Sequence, residues 1–508
     1  MSALDPTAPV GVLGAGTMGA GIAQVAAAAG HPVLLFDVAD GAAEAGRDGI
    51  AKALERVVAK GKMAAADRDG LLDRITPCQT FEDLKPALLV VEAVLEDLDV
   101  KQKVFTDLEK LLAPEAILAT NTSSIAIAAI AAALDDPSRL VGMHFFNPAP
   151  LMALVEVVSG IGTASGVADI VFDTAANWGK SPVHAKSTPG FIVNRVARPF
   201  YAEALRLLEE GAADAATIDA MLTGGGGFRM GPFALMDLIG HDVNYAVTCS
   251  VFEAFYQDPR FLPSLVQKEL VDGGLLGRKS GHGFFGYGKG ADNPQAATAL
   301  AGPKPRKVYV EGDLGPLAPL LARIEAAGIA TSRTHADGPG GLALGGLLLM
   351  LTDGRTATQR AHDESLDNLV VFDLVLDYAK ASHIALAAAD QADAKAAAKA
   401  AGLFQALGFE VSVIDDAPGL IVMRTVAMLA NIAASAVHTG VADAASVDIA
   451  MMKGVNYPQG PLAWADAAGP GVILTVLDNL AACYGDGRYR ASPWLRRRAA
   501  AGKPLLDD

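Results

Sequence analysis

One stretch of this chain occurs twice. Pro189-Gly190-Phe191-Ile192-Val193-Asn194-Arg195 returns as Pro418-Gly419-Leu420-Ile421-Val422-Met423-Arg424, a step of 229 residues. The same step carries Ile218-Asp219 onto Val447-Asp448 and Gly231-Pro232 onto Gly460-Pro461. Three landmarks sharing one offset without a gap predict two copies of one helical unit, 189–290 and 416–508. Each copy opens with a Pro-Gly turn and continues into an amphipathic stretch, such as Phe200 to Glu210 in the first.

What precedes the first copy alternates. Val10–Leu13, Pro32–Phe36, Leu88–Val94 and Ile117–Ala119 read as short apolar strands, with helices at Met18–Ala29 and Val100–Leu112. Strands alternating with helices of this length predict a doubly wound parallel sheet over 1–188. Residues 306–415 read as a weaker α/β domain. It has strands at Lys307–Val310, Leu369–Phe372 and Ile384–Ala387 and a helix at Asp393–Leu407, and the Gly/Pro/Ala-rich stretch 291–305 joins the halves.

Composition narrows the function classes. With 508 residues, 51% of them hydrophobic, several domains can each bury a core. Lys+Arg 41 against Asp+Glu 57 leaves a net charge of −16, which argues against a nucleic-acid partner. A polyanionic ligand must then be met by a local basic patch. Cys78, Cys249 and Cys483 are too scattered for a disulfide framework, and the nine histidines show no paired ligand spacing, so no metal is expected. Met1–Pro9 lacks a signal-peptide pattern, and the apolar run Gly341–Leu351 is too short to span a bilayer, which takes about 20 residues. The expectation is a cytoplasmic protein with no membrane partner.

Gly14-Ala15-Gly16-Thr17-Met18-Gly19 follows the first strand directly and opens a helix. Gly14 permits a tight turn, Gly16 lets backbone approach a pyrophosphate, and Gly19 allows close helix–strand packing. The second strand ends at Asp37, placed to bond an adenosine ribose 2′-hydroxyl and repel a 2′-phosphate, and no arginine follows until Arg47. The cofactor expected is NAD. Further on, His144 lies in Gly142-Met143-His144-Phe145-Phe146-Asn147-Pro148, with Glu156 twelve residues later in an apolar run. A histidine so placed is either a satisfied core residue or a base, and a carboxylate close in space would favour the base.

Gly14 to Gly19, Asn121-Thr122-Ser123-Ser124, His144-Phe145-Phe146-Asn147-Pro148 and Thr188 to Arg195 together resemble the NAD-dependent L-3-hydroxyacyl-CoA dehydrogenase family over about 1–290, down to Gly277-Arg278-Lys279-Ser280-Gly281-His282-Gly283-Phe284-Phe285. The resemblance implies a Rossmann domain followed by an all-helical domain like that of 6-phosphogluconate dehydrogenase. It implies His144 as general base, Glu156 as its orienting partner, and Ser123 and Asn194 on the reacting oxygen. It adds Glu96, Lys101 and Asn147 to the cofactor site beside Thr17, Met18 and Asp37, and Lys60 to the CoA site. The family's second CoA contact, a serine, falls on Ala53. The implied reaction is oxidation of a 3-hydroxyacyl-CoA to the 3-oxoacyl-CoA, or its reverse.

The second copy departs from that pattern. Asn194 maps onto Met423, no G-x-G-x-x-G opens 306–415, and the offset sets Asp373 against His144. The second half reads as a degenerate duplicate whose helical unit pairs with the first inside one chain, as a pseudo-dimer. Such chains resemble the long bacterial members of the family, of the 3-hydroxybutyryl-CoA and 3-hydroxyadipyl-CoA type, and imply fatty-acid or phenylacetate degradation. The competing readings are a non-catalytic NAD-binding scaffold and another Rossmann 3-hydroxyacid dehydrogenase.

Overall fold

A computed structural model describes residues 3–507, and the side chains of all of these except 335–339; Met1, Ser2 and Asp508 lie outside the described residues. The chain divides into two compact units, residues 1–195 with 440–455, and residues 196–439 with 456–508.

The first unit is built on an eight-stranded sheet. Its elements are β1 (Val10–Leu13), α1 (Thr17–Ala28), β2 (Val33–Phe36), α2 (Ala42–Ala59), α3 (Ala65–Asp73), β3 (Ile75–Pro77), β4 (Leu89–Glu92), α4 (Leu98–Leu111), β5 (Ile117–Thr120), α5 (Ile127–Ala131), β6 (Leu140–Phe145), β7 (Leu154–Ser159), α6 (Ser165–Asn177) and β8 (Ser181–Lys186). The strand order is β3-β2-β1-β4-β5-β6-β7-β8. Strands β1, β4 and β5 are buried along their whole length, which is why they read as unbroken apolar runs rather than alternating ones. Strands this short are held by packing, at roughly 1.5–3 kcal/mol for each fully buried Val or Leu. The expectation of a parallel sheet is corrected at one edge: β7 runs antiparallel to β6, and β8 follows β7. The link 146–153 is too short for a crossover helix, so the chain turns back.

The second unit opens after the helical turn α7 (Val193–Val196) with α8 (Arg198–Glu209) and α9 (Ala215–Ala220), which runs on into a π turn at Met221–Gly225. Helices α10 (Pro232–Ile239), α11 (His241–Ala254) and α12 (Leu265–Asp272) follow. Residues 291–305 form neither helix nor strand, yet they are tied down: Ala297 donates to Thr217 Oγ1, Ala299 to the Val411 carbonyl and Gly302 to Gln405 Oε1. A seven-stranded mixed sheet comes next, from β9 (Lys307–Asp313), α13 (Leu320–Ala326), β10 (Ala330–Pro339), β11 (Gly341–Leu344), β12 (Leu347–Leu351), α14 (Ala357–Asp363), β13 (Leu369–Phe372), β14 (His383–Ala388), α15 (Ala396–Ala406) and β15 (Glu410–Val413). Its order is β10-β9-β11-β12-β13-β14-β15. The last helices are α16 (Val422–His438), α17 (Ala444–Gly454), α18 (Pro461–Ala468), α19 (Pro470–Tyr484) and α20 (Pro493–Ala500), with α17 belonging to the first unit.

The 229-residue offset reaches well beyond the helices. β6, β7 and β8 start at 140, 154 and 181, and β13, β14 and β15 at 369, 383 and 410. The contacts repeat as well. In the first unit Lys186 N–H donates to the Val441 carbonyl; in the second, Asp415 N–H donates to that of Ala212. A Cβ on Gly454 would come within 2.5 Å of Leu154, and one on Gly225 within 3.1 Å of the His383 carbonyl. Each pair becomes the other when the copies exchange roles.

Within the second unit α8 packs on α16. Arg424 is fully buried there, with its guanidinium on Glu203 (2.9 Å), Glu210 (2.8 Å) and the Tyr484 hydroxyl. Phe228 and Tyr457, equivalent positions in the two copies, meet edge to face at 5.0 Å.

Candidate active site

At the end of β1 the three glycines have separate jobs. Gly14 has φ +101°, and a Cβ there would lie 2.5 Å from the Ala93 carbonyl oxygen. A Cβ on Gly19 would lie 1.7 Å from the Gly14 carbonyl oxygen, so the helix could not approach the strand. Gly16, the N-cap of α1, meets nothing within 4 Å. Its bare backbone faces open space where a helix N-terminus favours an anion. The adjoining cleft, about 900 Å³, is lined by Gly14, Gly16, Asp37, Val38, Leu95 and Val100 among others. This cradle fits a dinucleotide. Asp37 accepts the Ala15 N–H at 2.7 Å and the Ala39 N–H at 3.0 Å, which fixes the carboxylate at the cleft while leaving acceptor sites over. Arg47 is committed to the carbonyls of Leu72 and Ile75. Thr17 is exposed at the helix start and Met18 half-buried beside it.

Strands β6 and β7 bring His144 and Glu156 into direct register. His144 Nδ1 lies 2.6 Å from Glu156 Oε2, and both residues are buried. The second carboxylate oxygen, Oε1, accepts the backbone N–H groups of Ile192 and Val193, each at 3.0 Å. Glu156 thus holds the imidazole with one oxygen and the Pro-Gly turn with the other, and Asn194 is the next residue along. The rings of Phe146 and Phe191 pack on the imidazole, with centroids 4.6 and 5.7 Å away.

Ser123 is set by a second carboxylate. Glu96 accepts the Thr122 hydroxyl (2.6 Å) and the N–H groups of Ser123 and Ser124, which folds the loop after β5 around it. Burial alone would raise the Glu96 carboxyl; the Thr122 hydroxyl, the Lys101 ammonium and the loop donors bring it below its usual range. Lys101 is 1% exposed, with its ammonium 2.6 Å from Glu92 and 3.2 Å from Glu96. Lys101 is thus buried against the two carboxylates rather than exposed at the cleft. Glu92, absent from the sequence reading, is fully buried at the end of β4 and also accepts the Thr120 hydroxyl. An acid closing an apolar strand nine residues before a lysine was the available signal. Asn121 Oδ1 takes the Phe145 N–H and ties this loop to β6. Ser123 Oγ has no partner among the described residues, and the loop's serines do not cap α5, whose N-cap is Ala126. Asn147 is exposed beyond β6. Ala53 on α2 and Lys60 at its C-cap are both exposed.

In the second half the same strand pair holds different residues. Asp373 donates its N–H to the Ala385 carbonyl, so it stands where His144 stands and Ala385 where Glu156 does. The Asp373 carboxylate accepts the N–H groups of Ile421, Val422 and Met423, holding the second Pro-Gly turn from the histidine's position. The support of the turn survives and the histidine does not.

Comparison with known proteins agrees with this geometry. Residues 9–188 match the family model "3-hydroxyacyl-CoA dehydrogenase, NAD binding domain", 190–287 and 419–505 the C-terminal domain of the same family, and 349–418 a "3-hydroxybutyryl-CoA dehydrogenase reduced Rossmann-fold domain". The 3-hydroxyadipyl-CoA dehydrogenase of Escherichia coli K12 is 45% identical over 96% of this chain and 97% of its own. A 3-hydroxybutyryl-CoA dehydrogenase of Mycobacterium tuberculosis is 40% identical over 56% of this chain and 99% of its own. The crystal structure of an Escherichia coli K12 3-hydroxybutyryl-CoA dehydrogenase covers 98% of this chain and 99% of that one, with a TM-score of 0.89 and 44% identity. The chain belongs to the 3-hydroxyacyl-CoA dehydrogenase family of NAD-dependent oxidoreductases.

Proposed function

We propose that the protein oxidises (S)-3-hydroxyacyl-CoA to 3-oxoacyl-CoA, and catalyses the reverse reduction, with His144 as general base. The observation that carries this is the buried 2.6 Å contact between His144 and Glu156 on paired strands. His144 takes the proton of the 3-hydroxyl as the carbonyl forms, and Glu156 meets the charge that results. Ser123 and Asn194 orient the oxygen. Bound NAD supplies the acceptor for the hydride that leaves C3. Asp37 favours NADH over NADPH, and Asp37→Ala should narrow that preference in steady-state assays. Lys60 is assigned to CoA phosphate.

The reciprocal contacts support a second part of the reading. The two helical units, 189–290 and 416–508, serve each other as the halves of a dimer within one chain, and 306–415 is a cofactorless remnant. Cys78, Cys249 and Cys483 are all unpaired, which supports a reducing cytoplasm. Among the described residues no single helix is long and apolar enough to cross a membrane.

The 45% identical relative named for 3-hydroxyadipyl-CoA supports a dicarboxylyl substrate and a place in aromatic-acid degradation. NADH oxidation measured across acetoacetyl-CoA, longer 3-oxoacyl-CoAs and 3-oxoadipyl-CoA tests both the reaction and this choice. Absence of turnover with all of them would leave a binding protein.

A further inference from the structure

The two Pro-Gly turns have the same backbone and different side chains. Gly190 and Gly419 have φ of 71° and 74°, and the residues after them, Phe191 and Leu420, both enter the left-handed region at 46° and 53°. Both are buried, and in both turns the following N–H groups are held by a carboxylate. The copy without a histidine keeps the left-handed residue, so that conformation serves the packing of the turn. The ring is another matter. Phe191 lies at a steep angle to His144, 66° between ring planes, and Phe146 covers the imidazole at 54°. The residues 229 positions on are Leu420 and Val375, beside Asp373. Where the imidazole is gone, both rings are gone.

We propose that Phe191 is a positioning residue for His144. A single hydrogen bond at Nδ1 fixes one point of the imidazole, and the torsion that turns a histidine ring is soft. A close-packed aromatic wall removes that freedom, which keeps Nδ1 on Glu156 and aims Nε2 at one place. Proton transfer depends steeply on such aim. The inference rests on His144 being the base.

The variant to make in the full chain is Phe191→Leu, because Leu420 already occupies this conformation in the same protein. With acetoacetyl-CoA and NADH, kcat should fall by about 5- to 50-fold while KM for each stays within about twofold. The ring-nitrogen NMR shifts of His144, assigned by loss of the signal in His144→Gln, should report one tautomer in the parent and an average of two in the variant. A structural role alone would lower the melting temperature and leave that signature in place. If Phe191→Leu does not fold, Phe191→Met takes the same two measurements. Parental kcat and an unchanged tautomer in a folded variant overturn the proposal. A fully active His144→Gln would overturn the base assignment first, and this inference with it.

Discussion

At the scale of single residues, the site is two carboxylates, each with a double task. Glu156 holds His144 and the turn before Asn194, while Glu96 holds the Ser123 loop and shares Lys101 with Glu92. On the proposed mechanism, replacing His144 by Gln removes the proton acceptor and little else. Turnover should drop by about 10²- to 10⁴-fold with NADH affinity kept, as fluorescence titration would show. Near-parental turnover would take His144 out of the mechanism. Glu156→Gln is different. It withdraws the counter-charge of the imidazolium and puts an amide where two N–H groups need acceptors. kcat should fall, and the acid limb of the kcat/KM profile should move to lower pH; an unmoved limb would count against the pairing. The Gly loop, Asp37 and His144 stand out in the sequence because each sits in a short string of distinctive residue types. Glu92 and the left-handed Phe191 do not. One is a lone acid at the end of an apolar run, and the other an ordinary residue after Pro-Gly.

At the scale of elements, the second copy shows what the fold itself requires of this strand pair. The sequence betrays the repeat through its helical landmarks only, because a buried strand accepts any apolar residue and keeps no identities. The offset continues through β13, β14 and β15, and there Asp373 replaces His144 as the anchor of a turn. Strand direction was equally hidden, since apolar runs carry no polarity, and β7 and β8 turned out reversed. Asp373 is buried on every side. Burial pushes its carboxyl up to about 7 against the pull of the N–H donors of Met423, Val422, Ile421 and Leu374. A folded-state value above the unfolded one means that the folded chain binds the extra proton. Stability from this group is therefore full below about pH 4, falls by roughly 1.4 kcal/mol per unit towards pH 7, and is level beyond. Asp373→Asn cannot titrate there. The stability of the parent relative to this variant, from urea midpoints, should decline between pH 5 and 7, and a constant difference would place the carboxyl at its ordinary value.

At the scale of the whole molecule, the question is why a half without a catalyst persists. The chain keeps in its second copy Arg424, the Pro-Gly turn and the Gly-Pro that starts α18, and loses the histidine and the asparagine. What it keeps is what a partner surface needs. On the proposed pairing, a tethered partner meets its mate at an effective concentration of about millimolar, so pairing within the chain should outcompete pairing between chains. Arg424 is instructive here. Removing it leaves buried Glu203 with Arg206 as its remaining cation and takes the guanidinium from partly exposed Glu210, at a cost of about 3 kcal/mol, the low end for breaking a buried pair. A chain cut after residue 305 loses Arg424 and all of α16 at once, and exposes the face of α8 that carries Phe200 and Glu203. In a dimer of two such fragments the equivalent Arg195 of each would have to take the place of Arg424 on Glu203 and Glu210 of the other, without the advantage of the tether. The truncated protein should therefore form a weaker dimer of fragments or an insoluble product, as sedimentation would show. The full chain should bind one NADH by calorimetry, at the glycine loop of the first half. A fragment that stays a soluble, fully active monomer, or a full chain with two NADH sites, would mean that the second half was kept for something other than standing in as a partner.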